Sequence, residues 1–318
     1  MSRGTLFEKN YKPLFSGHET FPLRYGWLKK VYDAVISDGK DIASKSLFSD
    51  DNSLARFGVG KNMVASMRYW AAACDVIGDV STNQVAIRPR GHKLFGNGGL
   101  DPYMESPSTL WILHWSLCGR EDRTTWYWAF SHFSHLTFER ETLVKALLSI
   151  AEDRGWPRVS PATVKRDVEC FVRTYAAKAS SSRVSHEDAL ESPLTELGLI
   201  RATGKKDGFR FVRGPKSTLG DGVFAYALID FWRRYSKSKT LSFEAIAHGP
   251  GSPGRVFALD ESDLAERLSE IEDATEGLLR WSETAGLKQV IRSSDLNVEA
   301  ALALVDADFR VRERRKVA

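Results

Sequence analysis

Three textures in this 318-residue sequence predict a mainly α-helical protein with small β-hairpins, arranged as winged helix-turn-helix-like units around an aromatic-rich helical core. Apolar residues recur at helical spacing through most of the chain. Short apolar segments separated by polar turns follow helices at three places, near residues 76–87, 197–212 and 281–291. Between the first two runs a stretch dense in tryptophan and phenylalanine. The expected division is residues 1–105 as an N-terminal winged-helix-like unit, 106–180 as an aromatic helical middle, and 181–318 as a C-terminal winged-helix-like unit with a basic tail.

Taken in order, Pro22 suits the first position of a helix, where its missing N–H costs nothing, and it keeps Phe21 out of the α region. Leu23, Trp27, Val31 and Val35 then recur every four residues, and Asp38-Gly39 reads as the stop. Phe57-Gly58-Val59-Gly60 is a turn ahead of a helix from Lys61 to about Cys74, with Met63, Met67, Trp70 and Cys74 as its stripe. Val76-Ile77, a turn over 79–83 and Val85-Ala86-Ile87 give a strand pair, followed by Arg88-Pro89-Arg90-Gly91. Helix, strand, turn and strand in that order suggest a winged helix-turn-helix.

In the middle, Trp111, Trp115, Trp126, Trp128, Phe130 and Phe133 must mostly be core. Ser160-Pro161 is a cap followed by an N1 proline, and Val164, Val168, Phe171 and Tyr175 are the buried stripe of the helix it opens. Ser180 to Ser182, then Arg183, reads as a linker. Leu197-Gly198-Leu199-Ile200 leads through a turn closed by Asp207-Gly208 to Phe209-Arg210-Phe211-Val212, a hairpin. Asp260 caps a helix expected to run to about Arg280, before strands near 281–283 and 287–291. These are recurring supersecondary units, not a repeat of fixed period.

Composition narrows the function classes. With 42% hydrophobic and 27% charged residues, the chain has the makings of an ordinary globular core. Its longest apolar run, Val223 to Ile229, is far too short to span a bilayer, and no basic-then-apolar leader opens the sequence. A cytoplasmic protein without membrane contact is expected. Cys74, Cys118 and Cys170 lie far apart without paired spacing and read as reduced core residues. The pI of about 8.8 invites a nucleic-acid partner. Yet Arg310, Arg312, Arg314, Arg315 and Lys316, against Glu313, account for the whole net charge of +4. The rest of the chain is electrically balanced, so only local clustering of cations could hold DNA.

The densest chemistry lies in Phe15-Ser16-Gly17-His18-Glu19-Thr20-Phe21-Pro22-Leu23-Arg24. A helix starting at Pro22 would offer free N–H groups beside Arg24 and could hold a phosphate. The competing reading is structural: Glu19 complements the dipole while His18 and Arg24 make supporting hydrogen bonds. Gly58-Val59-Gly60-Lys61-Asn62 fails the P-loop pattern, because Ala55 and Asn62 stand where glycine and a hydroxyl residue are needed. As the turn of a helix-turn-helix it places Lys61 and Arg68 on one side, with Asn62, Ala65, Ser66 and Tyr69 as a face able to approach a groove. A solvated helix face would look the same.

His132 and His135, with Glu139 and Glu141 downstream, have partial metal spacing, but the flanking Phe130, Phe133, Leu136 and Phe138 favour packing. Asp167 borders an apolar stripe and has Lys165, Arg166 and Arg173 on its helix, so a buried ion pair is the first reading and a metal carboxylate the second. Gly249-Pro250-Gly251-Ser252-Pro253-Gly254-Arg255 is either a phosphate cradle or a tight inter-helix loop.

Several blocks in register resemble the SspB-type family of bacterial DNA phosphorothioation systems. They are Phe15 to Arg24, Gly58-Val-Gly-Lys-Asn-Met-Val64, Arg68-Tyr-Trp70, Asp101-Pro-Tyr103, Thr109-Leu-Trp111, Arg166-Asp167-Val168, Ser192-Pro193 and Ser252-Pro-Gly-Arg255. The resemblance implies a DNA nicking endonuclease of an anti-phage system. Such a protein works with a cysteine desulfurase and an ATPase, opening one strand so that sulfur can replace a non-bridging phosphate oxygen. It assigns no catalytic residue. On chemical grounds His18 is suited to general acid or base work, Glu19 to binding a divalent metal (Mg or Mn) or orienting His18, and Arg24 to stabilising a charged phosphorane, with Asp167 as a further carboxylate. Lys61, Asn62, Arg68, Lys165, Arg166 and Arg255 are the expected contacts to double-stranded DNA. A non-catalytic winged-helix adaptor that recruits the sulfur-transfer machinery is the alternative.

Overall fold

The computed structural model describes residues 4–36, 39–177, 192–204, 207–284 and 286–310. Its first helix, α1 (Trp27–Val35), begins five residues later than Pro22 suggests. The reason is that the Phe21 carbonyl, which a helix opening at Pro22 would use as its first acceptor, is taken by Trp70 Nε1 at 3.0 Å. The chain has no regular structure from Phe21 to Arg24, turns at Gly26 in the left-handed region (φ 75°) and only then coils. The expected stripe is nonetheless buried: Leu23, Trp27, Val31 and Val35 all lie in the core. Of the expected stop, Asp38 lies outside the described residues and Gly39 has φ 70°.

Next come β1 (Ile42–Ser44), α2 (Ser53–Phe57), α3 (Lys61–Ala73), β2 (Ile77–Asp79) and β3 (Gln84–Ile87). Strand β3 lies between β1 and β2, antiparallel to both, with Ile42 opposite Ala86 and Ile77 opposite Ile87. Gly58 ends α2 at φ 66°, in the left-handed geometry that a tight helix–helix turn asks of glycine. Pro89 then opens α4 (Pro89–Phe95).

The aromatic middle supplies α5 (Pro107–Cys118) and α6 (Thr124–Ser131), both buried on every side. All six aromatic residues assigned to the core from the sequence are inside. After them the first pattern returns as β4 (Thr137–Glu139), α7 (Arg140–Asp153), α8 (Pro161–Tyr175), β5 (Ile200–Ala202) and β6 (Gly208–Phe211), in sheet order β4-β6-β5. This sheet joins strands from both sides of residue 180; the linker Ser180 to Arg183 lies outside the described residues. As expected, Ser160 caps α8, its hydroxyl accepting from Thr163 N at 3.2 Å, and Val164, Val168, Phe171 and Tyr175 are fully buried.

A long core helix, α9 (Asp221–Tyr235), precedes the third occurrence. It comprises β7 (Thr240–Ser242), α10 (Phe243–His248), α11 (Pro253–Val256), α12 (Glu261–Ser269), α13 (Ile271–Ala274), β8 (Leu279–Thr284) and β9 (Leu287–Arg292), in order β7-β9-β8. Asp260 caps α12 as expected, but that helix ends at Ser269 and not near Arg280. The break completes itself where Glu276 (φ 51°) and Gly277 (φ 81°) reverse the chain into β8. A short α14 (Val298–Ala301) packs on α9. Arg310 is the last described residue, so Arg312, Arg314, Arg315 and Lys316 lie outside the described residues.

The class is therefore mainly helix with small antiparallel sheets. Each sheet pairs the first strand of its unit with the last, the helices lying between them in sequence. All three cysteines are free and buried. No described helix is long and apolar enough to cross a membrane.

Candidate functional site

The loop from Phe15 to Arg24 is wedged between α3 and α8. Gly17 has φ 109°, and a Cβ there would stand 2.7 Å from the Tyr69 ring, so only glycine fits. His18 is 2% exposed. Its Nδ1 accepts the Thr20 backbone N–H at 3.0 Å, which assigns the ring proton to Nε2, and Nε2 donates to Asp167 Oδ1 at 2.8 Å. Asp167 is 1% exposed, and its second oxygen has no hydrogen-bond partner among the described residues. Tyr69 meets the imidazole edge-on at 5.7 Å and Trp126 lies 6.1 Å away. The Arg123 guanidinium covers Tyr69 from 5.1 Å. Burial raises the Tyr69 hydroxyl well above its ordinary range.

The rest of the loop is tied down through its carbonyls. Trp70 Nε1 and Cys170 Sγ both reach Phe21 O, at 3.0 and 3.4 Å, and Arg173 Nη1 donates to Thr20 O at 3.2 Å. Between these anchors Glu19 and Thr20 are exposed, at φ 46° and 66°. Two successive non-glycine residues in the left-handed region store about 1–3 kcal/mol each, which the surrounding hydrogen bonds must outweigh.

The fold brings His18 and Asp167 together across 149 residues, with Glu19 exposed beside them on the loop, yet with roles altered. Asp167 pairs with His18, while Lys165 and Arg166 are exposed on the outer side of α8. Both nitrogens of His18 are engaged. Arg24 is 7% exposed and packs 5.6 Å from the ring centres of Phe21 and Trp27. With α1 starting at Trp27, the anion site expected at a Pro22 helix start is not formed. Sequence reasoning missed Arg123 altogether and named Arg173 only as a cation on the Asp167 helix and Trp126 only as core, because nothing local in the sequence records a partner from another segment.

The expected DNA contacts divide by exposure. Lys61 and Asn62 are exposed at the start of α3. Arg68 is half-buried over Phe48, 4.0 Å from Asp79 Oδ1. Ser66, expected on the groove-facing side, is fully buried, so that face is narrower than its spacing suggests. Arg255 is half-buried in α11, and burial together with the nearby Arg213 lowers its guanidinium from the ordinary range. The glycine-rich turn before it is a tight loop: Gly251 N donates to Ser131 Oγ at 2.8 Å and Ser252 N to Gly249 O at 3.0 Å, so those donors are not offered to a phosphate.

His132 packs edge-on against Phe7 at 5.1 Å, and burial followed by Arg255 lowers it to about 4. His135 and Glu139 are exposed and Glu141 pairs with Lys145. Among the described residues no group of three or more His, Cys, Asp or Glu could hold a metal ion. The Asp101-Pro-Tyr103 block proves to be a cap for α5: Asp101 accepts from Glu105 N, Ser106 N and Thr109 Oγ1 at 2.9, 2.9 and 2.6 Å.

A family model described as "Protein of unknown function (DUF4007)" matches residues 15–307. A structure described as "Magnesium ion-bound SspB crystal structure" is 28% identical with a TM-score of 0.83, over 96% of this chain and 90% of that one. A second, "SspB crystal structure", is 29% identical with a TM-score of 0.82, over 96% of this chain and 91% of that one. No curated protein matches the chain. The likeness first visible in short blocks thus extends to the whole fold.

Proposed function

The chain belongs to the DUF4007 family and shares its fold with SspB, and from that premise we propose that it nicks one strand of double-stranded DNA in a phosphorothioation-based defence system. The observation that carries this reading is the exposed, strained pair Glu19-Thr20, fixed from behind by the buried His18–Asp167 hydrogen bond. Strain held at exposed polar residues is a mark of functional loops. In this reading the three sheet-and-helix units are winged-helix-like modules that hold DNA mainly through phosphate contacts, with Lys61, Asn62, Lys165 and Arg166 as the exposed contacts. The desulfurase and ATPase components are its partners in sulfur transfer.

Magnesium takes oxygen ligands and often needs only one or two carboxylates, completing its shell with water and substrate phosphate oxygens. Exposed Glu19 beside the Thr20 hydroxyl fits that open form; the enclosed Asp167 and the nitrogens of His18 do not. Bound at Glu19, the ion would neutralise charge gathering on the phosphate under attack. The chain's own part is positioning. Asp167 fixes the ring of His18, His18 fixes the amide of Thr20, and Arg173 holds the Thr20 carbonyl, so Glu19 keeps one orientation.

A second reading, the recruiting adaptor, draws on two observations: both His18 nitrogens are engaged, and the described residues hold no cluster of metal-binding side chains. Supercoiled plasmid incubated with the protein and Mg²⁺ separates the two. Nicking is expected to give open circles, to stop with chelator and to fall about a hundredfold or more in Glu19→Gln. Plasmid left supercoiled with both Mg²⁺ and Mn²⁺, while DNA is still bound, would replace the nickase by the adaptor.

A further inference from the structure

A cavity of about 520 Å³ opens where the end of the first unit, the α5–α6 connection, the second half of α9 and α14 meet. Five arginines line it, Arg88, Arg90, Arg120, Arg233 and Arg234, against three carboxylates, an excess of two positive charges. That concentration stands out in a chain whose charges otherwise nearly balance.

The cavity is built from buried, oriented groups. Arg90 is 3% exposed; Nη1 donates to Cys74 O at 3.2 Å and Ser116 Oγ at 2.6 Å, and Nη2 to Tyr226 Oη at 2.6 Å. Asp75 stands 3.3 Å from the same guanidinium. Asp230, 2% exposed, accepts from Arg120 at 2.9 Å through Oδ1, and from Trp115 Nε1 at 2.9 Å and Arg234 at 3.3 Å through Oδ2. It is a backstop that points two guanidinium groups and leaves most of their N–H donors for something else. Arg88 and Arg233 are exposed and enter no ion pair among the described residues. Arg88 lies across Gly78 of β2, where a Cβ would fall 2.1 Å from its Nε.

We propose that this cavity is a binding site for a phosphomonoester. Forked guanidinium donors match phosphate oxygens, and a phosphomonoester carries about 1.5 to 2 negative charges at neutral pH, the complement of the lining's excess. The volume is that of a small-molecule site, enough for a nucleotide but not for the continuous backbone of a duplex. Two sources share this chemistry: a free mononucleotide and the 5′-phosphate at the end of a DNA strand. The site requires nothing of the loop at residues 16–24, so it stands or falls apart from the nickase reading.

Two matched pairs of probes test it by calorimetry on the full chain: adenosine 5′-monophosphate against adenosine, and a short single strand with a 5′-phosphate against the same strand with a 5′-hydroxyl. In at least one pair the phosphorylated member is expected to bind about tenfold or more tightly. The double variant Arg88→Ala/Arg233→Ala is expected to erase that preference while its thermal midpoint stays within about 2 °C, both side chains being exposed. A preference confined to the nucleotide identifies the free ligand, one confined to the strand identifies the DNA end, and either supports the site. Equal binding within both pairs, or a preference that survives in the double variant, overturns it.

Discussion

Asp167 and Asp230 are both buried carboxylates, 1% and 2% exposed, yet one sits in a sparse setting and the other in a dense one. Asp230 receives donors from Trp115, Arg120 and Arg234. Although burial alone would raise its pKa, Arg234, Arg120 and the Trp115 hydrogen bond hold the carboxyl below the ordinary range. Among the described residues Asp167 receives only His18, and one of its oxygens has no partner. Burial by itself therefore says little about a carboxylate's job. The dense setting makes a rigid charged wall; the sparse one makes a single latch on a strained loop.

The largest effect should come from removing the dense centre. Asp230→Ala leaves two guanidinium groups and an indole N–H without their shared acceptor, and should destabilise the fold by about 3–5 kcal/mol in denaturant unfolding. A loss under about 1 kcal/mol would mean that the arginines simply swing to water, and the contrast with Asp167 would vanish.

Acid sharpens the same contrast. His114 is fully buried between Tyr175 Oη and the Val256 carbonyl, and burial lowers it to about 4. A histidine whose folded pKa is lowered binds protons more readily when unfolded. Its contribution is therefore intact above about pH 6.5 and shrinks as pH falls toward 4, by on the order of 2–3 kcal/mol. The contribution of Asp230 has a different window. It is present above the ordinary aspartate range and is lost only as pH falls through its lowered folded value. Unfolding free energy should thus decline first between pH 6.5 and 4, and His114→Gln should make that part of the profile shallower while leaving the lower part in place, the remaining slope belonging to His132, which burial also lowers to about 4.

Breaking the latch should cost less. Asp167→Asn keeps the volume but removes a charge-assisted acceptor, for a loss of about 1.5–3 kcal/mol. If the latch serves the loop, His18→Ala and Asp167→Asn will be strongly non-additive in a double-mutant cycle, and hydrogen exchange at the Thr20 amide will speed up in both. Additive costs with an unchanged Thr20 amide would reduce the pair to ordinary core packing.

The sequence showed the locally encoded features and hid those made between distant segments. Ser160-Pro161, Asp260 and the stripe of α8 were legible because caps and stripes are short-range patterns. The hairpins β2–β3, β5–β6 and β8–β9 were visible for the same reason. Their third strands were not, since Ile42–Ser44, Thr137–Glu139 and Thr240–Ser242 are three residues each and pair across long intervals. Pro22 misled because a tertiary hydrogen bond from Trp70 outbid a local helix signal. At the site, His18 and Asp167 drew attention as residue types, but their pairing rests on a contact spanning 149 residues, and the arginine cavity draws on four separate stretches.

The smallest stability effect belongs to the outer side of α8, opposite the latch. Lys165 and Arg166 are exposed, so Lys165→Ala/Arg166→Ala should change stability by no more than about 0.5 kcal/mol. If α8 lies along DNA, the same double variant should weaken duplex binding irrespective of sequence. The slope of log affinity against log salt should then become shallower by about 2, one for each lost phosphate contact. An unchanged slope would move the duplex off this face and leave α8 with one job, holding Asp167 against His18 from the inside.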